Sequence, residues 1–170
     1  MTTNPALVVA DAGPLIHLDE LAALDVLSDY TAVWLPEAVW NEVMHHRPQA
    51  LHNTCVNLRR QSSPLPSAQV QAITSLYTLH NGEREALALC IKHSINTLLT
   101  DDTAARLAAK SLNIVTHGTL GLLIRSVRRN LRTPSAVLTL LEAIPQQTTL
   151  HIRPSLLADV IQRVQSEWNN

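Results

Sequence analysis

Apolar residues run unbroken from Ala6 to Ala10 and stop at Asp11, the pattern of a strand buried on both faces. The chain then turns at Gly13-Pro14. From Leu15 the apolar positions Leu15, Leu18, Leu21, Ala22 and Val26 recur at helical spacing, and Thr31 to Leu35 reads as a second strand. Pro36 suits the first position of a helix that reaches His46. Between Arg47 and Pro66 the pattern lapses, and Pro48, Ser62, Ser63, Pro64 and Pro66 make this stretch the nearest thing to a linker. A helix is predicted over 68–80, with Val70, Ile73, Leu76 and Tyr77 on one side, broken at Asn81-Gly82. A new helix follows from Glu83 to His93, apolar nearly all round and therefore buried, with Cys90 as an inert packing residue. The strand Thr97–Thr100 ends at Asp101-Asp102, followed by a helix over 103–111 and a strand over 113–116. The tail predicts helices over 120–130, 135–143 and 154–167, with an edge strand at Thr149–Ile152.

Alternation of strand and helix calls for crossover connections, hence a mostly parallel sheet with helices on both faces. The expected fold is a single three-layer α/β/α domain over 1–170, with 131–170 as a helical extension packed on it. A chain of 170 residues buries an adequate core without cross-links. With 46% hydrophobic residues, 3% aromatics and no Phe, that core is built from Leu, Val, Ile and Ala. Disorder is excluded. No stretch approaches the roughly 20 apolar residues that cross a bilayer, and the N-terminus lacks the pattern of a secretion signal, so a soluble, cytoplasmic protein is expected. Cys55 and Cys90 are isolated, which suits a reducing compartment and excludes a zinc finger. A net charge of −1 means that any nucleic-acid binding is local rather than driven by bulk charge.

Ligands of open parallel sheets bind beyond the carboxyl ends of the strands, near the point where strand order reverses. Asp11 ends one predicted strand, and Asp101 with Asp102 ends another. Glu42 lies on the helix opened by Pro36, and Glu83 and Glu85 lie in the first turn of theirs. Carboxylates gathered at one rim raise one another's pKa unless a cation neutralises them. Oxygen donors without cysteine or a ligating histidine pair select a hard ion, Mg²⁺ or Mn²⁺, which activates water and steadies charge on a phosphate. Phosphodiester hydrolysis is the implied chemistry.

Val8-Val9-Ala10-Asp11-Ala12-Gly13-Pro14-Leu15-Ile16, Leu35-Pro36-Glu37-Ala38-Val39-Trp40-Asn41-Glu42-Val43, Gly82-Glu83-Arg84-Glu85-Ala86 and Leu98-Leu99-Thr100-Asp101-Asp102 resemble the successive acidic motifs of PIN-domain proteins. The likeness is to a subfamily related to VapC-type toxins, and it extends through Gly118-Thr119-Leu120-Gly121 and Ile152-Arg153-Pro154. It implies a Mg²⁺- or Mn²⁺-dependent ribonuclease, the toxin of a toxin–antitoxin pair, with RNA as substrate, a small antitoxin as partner and a homodimer as assembly. Asp11, Glu42 and Asp101 match the first, second and fourth metal-binding acids. Glu83 is preferred for the third, with Glu85 a lesser candidate, and Asp102 either assists Asp101 or caps the next helix. A hydroxyl residue often follows the first acid in the wider family, whereas Ala12 and Gly13 stand here.

Each acid also has an ordinary reading: Asp11 and Asp101 as turn residues, Asp102 as an N-cap, Glu83 and Glu85 as partners of a helix dipole, Glu42 as a solvated residue. Their order and their strand-end positions together favour a shared metal site. Arg125, Arg128, Arg129 and Arg132 form one helical stripe, fit to contact RNA phosphates, an acidic partner or solvent alone. His45, His46 and His52 lack metal-ligand spacing, and Trp34 and Trp40 read as packing residues. A dehalogenase-type phosphatase would carry Asp-x-Asp where Asp11-Ala12-Gly13 stands, and the P-loop motif is absent. The rival that stays open is a catalytically weak or inactive PIN-like domain that binds RNA or protein.

Overall fold

The structure is a computed structural model describing residues 6–168. Five strands form one sheet: β1 (Leu7–Ala10), β2 (Ala32–Pro36), β3 (Leu58–Gln61), β4 (Thr97–Leu99) and β5 (Val115–His117), in the order β3-β2-β1-β4-β5. Every pairing is parallel, with Val9 opposite both Trp34 and Leu98. Among the described residues, eight α-helices cover it: α1 (Ala12–Glu20), α2 (Glu37–His46), α3 (Ala68–Thr74), α4 (Asn81–Lys92), α5 (Thr103–Ser111), α6 (Thr119–Arg128), α7 (Pro134–Gln147) and α8 (Pro154–Trp168).

The period-two geometry of a strand sends alternate side chains to opposite faces. Val8, Ala10, Val33, Leu35 and Leu99 enter a core shared with α1, α2, α6, α7 and α8. Val9 and Leu98 enter a second core, built with α4 and α5. Burial on both faces is why the strands read as continuous apolar runs.

The sequence pattern needs correction in six places. The stretch read as a linker contains β3, an edge strand paired only with β2, whose Arg59 and Arg60 are exposed. An edge strand tolerates charge on its open side, so it carries no apolar run to betray it. The helix predicted over 68–80 stops at Thr74. Asn81-Gly82 is not a break but the first turn of α4, where the His80 backbone N–H donates to Glu83 Oε2 at 2.6 Å and fixes the helix start. Gly13-Pro14 likewise lies in the first turn of α1, where proline's missing N–H costs nothing. Residues 149–152 form no strand. Asn113, with φ of 58°, sits in a turn, so the fifth strand begins at Val115. Among the described residues, no helix is long and apolar enough to cross a membrane.

Candidate functional site

Strand order reverses between β1 and β4, and there the two carboxyl ends meet side by side. The Asp11 N–H donates to the Leu99 carbonyl at 2.8 Å, so the residues that follow each strand are locked in register. Asp11 is 8% exposed, and the Thr100 hydroxyl donates to its Oδ2 at 3.3 Å. Burial pushes its carboxyl up to about 7. The Ala12 backbone N–H and the Thr100 hydroxyl oppose this, while Glu83 and Glu42 add to it by charge repulsion.

Glu42 and Glu83 arrive on α2 and α4, which pack together beside this rim. The contact depends on a missing side chain. A Cβ on Gly82 would lie 3.6 Å from Asp11 Oδ1, 3.6 Å from Glu42 Oε2 and 3.2 Å from Val39 Cγ2, so glycine leaves the space between the two carboxylates open. Glu83, 7% exposed, is raised above the usual carboxylate range by burial. Its bond from the His80 N–H counters this, and Asp102 and Glu42 reinforce it. One Glu83 oxygen closes the helix start, and the carboxylate as a whole faces the other acids.

The remaining candidates divide. Asp101 is bound by others: His17 Nδ1 lies 2.8 Å from its Oδ2, the Thr119 N–H donates to Oδ1 at 2.7 Å, and the Thr119 hydroxyl donates to Oδ2 at 2.6 Å. Asp102 caps α5 by accepting the Ala105 N–H at 2.7 Å, and its charge is felt at Glu83. Glu85 turns away from the rim to the start of α2, where it accepts the Ala38 N–H at 2.8 Å and the Ser63 hydroxyl. The arginines do not form one helical stripe, because α6 ends at Arg128, Arg129 caps it and Arg132 lies beyond the turn at Asn130, and they are engaged within the molecule. Arg125 grips Asp29 through both Nη atoms at 2.8 Å and lies over the Tyr30 ring, Arg129 Nε reaches the same carboxylate, and Arg132 pairs with Asp25. Arg128 makes a longer contact with Glu167 at 3.4 Å.

Among the described residues, no lysine or arginine forms an ion pair with Asp11, Glu42, Glu83 or Asp102. Also among the described residues, no three acids, histidines or cysteines are drawn together as a preformed metal site. The donor chemistry nonetheless fits a hard divalent cation: oxygen ligands only, unneutralised like charge, a half-buried rim and a cradle that a Cβ would fill. Sequence reasoning missed the supporting residues. Thr100 and Thr119 stand inside the quoted motifs without a role, and Gly82 reads there as a helix breaker or part of a cap, not as space between two carboxylates. His17 carries no local signal, because its partner lies 84 residues away.

The family model DUF3368, described as a PIN domain, matches residues 7–166. Among curated proteins, none matches the chain.

Proposed function

Since the chain belongs to the PIN-domain family, whose members are typically nucleases, we propose that it is a ribonuclease dependent on Mg²⁺ or Mn²⁺. The observation that carries the reading is the buried, unneutralised Asp11 facing Glu42 across the open space at Gly82. Asp11, Glu42 and Glu83 would hold the cation, with Asp101 or Asp102 as the fourth acid. When bound, the ion supplies charge neutralisation, an activated water and stabilisation of charge on the phosphate. The chain's own contribution is positional. Thr100 and the Ala12 N–H orient Asp11, the His80 N–H fixes the Glu83 carboxylate, and His17 with Thr119 holds Asp101 rigid. Helices α2 and α4 set the width of the cup.

A second reading is a PIN domain that binds RNA or protein without cutting. It is favoured by the three hydrogen bonds that already engage Asp101, from His17 and Thr119. One assay separates the two. A nuclease degrades RNA with Mg²⁺ or Mn²⁺, stops with EDTA and is silenced by Asp11→Asn. Equal behaviour of wild type and variant on a broad panel of RNAs would leave only the binding reading. The biological role follows from family likeness: the toxin of a toxin–antitoxin pair, held inactive by a small antitoxin and paired as a homodimer. Co-purification of a small protein expressed from the neighbouring reading frame, and the mass of the complex in solution, test that extension.

A further inference from the structure

Beside the acid cup, and sharing Asp101 with it, is a cleft of about 480 Å³ between α5, the start of α6 and the segment leading into α8. Two arginines from separate parts of the chain line it, Arg106 on α5 and Arg153 ahead of α8, with the imidazoles of His117 and His151 beside them. Arg106 Nη1 donates to the Thr100 carbonyl at 3.4 Å, a bond that points it toward the strand end carrying Asp101. Unlike Arg125, Arg129 and Arg132, which are paired with Asp29 and Asp25, neither Arg106 nor Arg153 forms an ion pair among the described residues. The one acid in the lining, Asp101, already accepts from His17 and Thr119. Burial, then Arg125 and Arg106, hold His117 below the usual histidine range, so the fixed positive charge of the cleft is that of its two arginines.

Gly121 faces the cleft, and a Cβ there would meet nothing within 4 Å. Apolar surface lies alongside the charges: Ile152 and Leu156 are in the lining, and Leu156 is 44% exposed. Unpaired guanidinium groups bind phosphate, and neighbouring apolar side chains accept the faces of unstacked bases.

We infer that this cleft holds the backbone of a single-stranded RNA, with Arg106 and Arg153 on its phosphates, and leads the strand to the acid cup. The inference deepens the ribonuclease reading and rests on it for the direction of the strand, but binding itself is measurable without catalysis. The test is binding of a short, labelled, single-stranded RNA in EDTA, followed by anisotropy across a series of salt concentrations. The doubly substituted Arg106→Ala, Arg153→Ala protein should bind at least ~10-fold more weakly, with a salt slope shallower by roughly 1.4, about 0.7 for each lost phosphate contact. Substituting both by lysine keeps the charge and should restore the slope, which separates loss of contact from loss of fold. Lys92→Ala, at the far end of α4, should bind as wild type.

Unchanged affinity in the alanine pair, or no RNA binding by the wild type, would overturn the cleft, as would a preference for duplex RNA. The ribonuclease reading fails separately. If no RNA is cut with any divalent cation while the alanine pair still loses binding, the cleft stands and the nuclease does not. If the alanine pair binds and cuts as wild type, the nuclease stands and the cleft does not.

Discussion

Asp11 is a carboxyl group placed where burial makes its charge costly, and that makes it the most testable residue in the protein. Its folded pKa is raised from 3.8 to about 7, so the native state holds a proton that the unfolded chain releases. The sign follows from linkage. The stability contributed by that proton is fully present below pH ~4, falls as pH rises toward 7, and is flat above. Asp11→Asn removes the dependence. In EDTA at pH 8 the variant should be more stable than wild type, by as much as ~4 kcal/mol if the whole shift is expressed. At pH 3 the two should melt alike. Adding Mn²⁺ at pH 8 should raise the melting temperature of wild type but not of the variant. Gly82 makes the complementary case. Gly82→Ala gains a little helix propensity at the start of α4 but sets a methyl 3.2 Å from Val39 Cγ2 and 3.6 Å from both Asp11 Oδ1 and Glu42 Oε2. The protein should melt within a few degrees of wild type while its Mn²⁺-induced stabilisation and RNA cleavage are lost, a split that thermal melts with and without the ion would measure.

Helix starts explain which of the acids were legible as elements and which were not. The sequence offers both Glu83 and Glu85 for the third acid and prefers Glu83; of the two, only Glu83 lies in the first turn of α4. The fold separates them because successive helical residues point about 100° apart. Glu83 faces the rim, while Glu85 satisfies the Ala38 N–H at the start of α2, an obligation set 47 residues earlier in the chain. Glu85→Ala should therefore cost about 1–2 kcal/mol, as loss of a cap does, and leave the cation response intact. Loss of Mn²⁺ binding in a protein of unchanged stability would return Glu85 to the ligand set. Asp11 and the Asp101-Asp102 pair were readable because an apolar strand stops abruptly at each. Strand β3 was not, since Arg59 and Arg60 occupy an open edge and no apolar alternation marks it. The early stop of α3 at Thr74 is a tertiary outcome, absent from the helical spacing that continues through Tyr77.

Across the whole molecule, the same logic separates the arginines that build from those free to bind. The spacing of the arginines at the end of α6 was visible as a period, but the helix stops before Arg132, and their partners Asp25 and Asp29 lie about a hundred residues upstream, beyond any local pattern. Burial alone would raise Asp29, yet hydrogen bonds from Arg125 and Arg129 outweigh it and hold the carboxylate below its usual range. Its stabilising contribution is therefore present above the unfolded pKa and lost as pH falls through the lower folded one. Asp29→Ala strands the half-buried Arg125 and should destabilise by roughly 3 kcal/mol at pH 7. In a domain of this size that is a fall of about 6–12 °C in melting temperature. The loss should shrink in acid. Cys90 plays no part in any of this, because burial pushes its thiol up to about 12. The β1–β4 reversal and the α2–α4 packing are what bring acids from distant segments to one rim, and the most direct measurement is a crystal soaked in Mn²⁺ and recorded for anomalous scattering. A peak between the Asp11 and Glu42 carboxylates, beside Gly82, is the predicted result. A map with no peak there, or with Mn²⁺ only at His45 and His46, would contradict it.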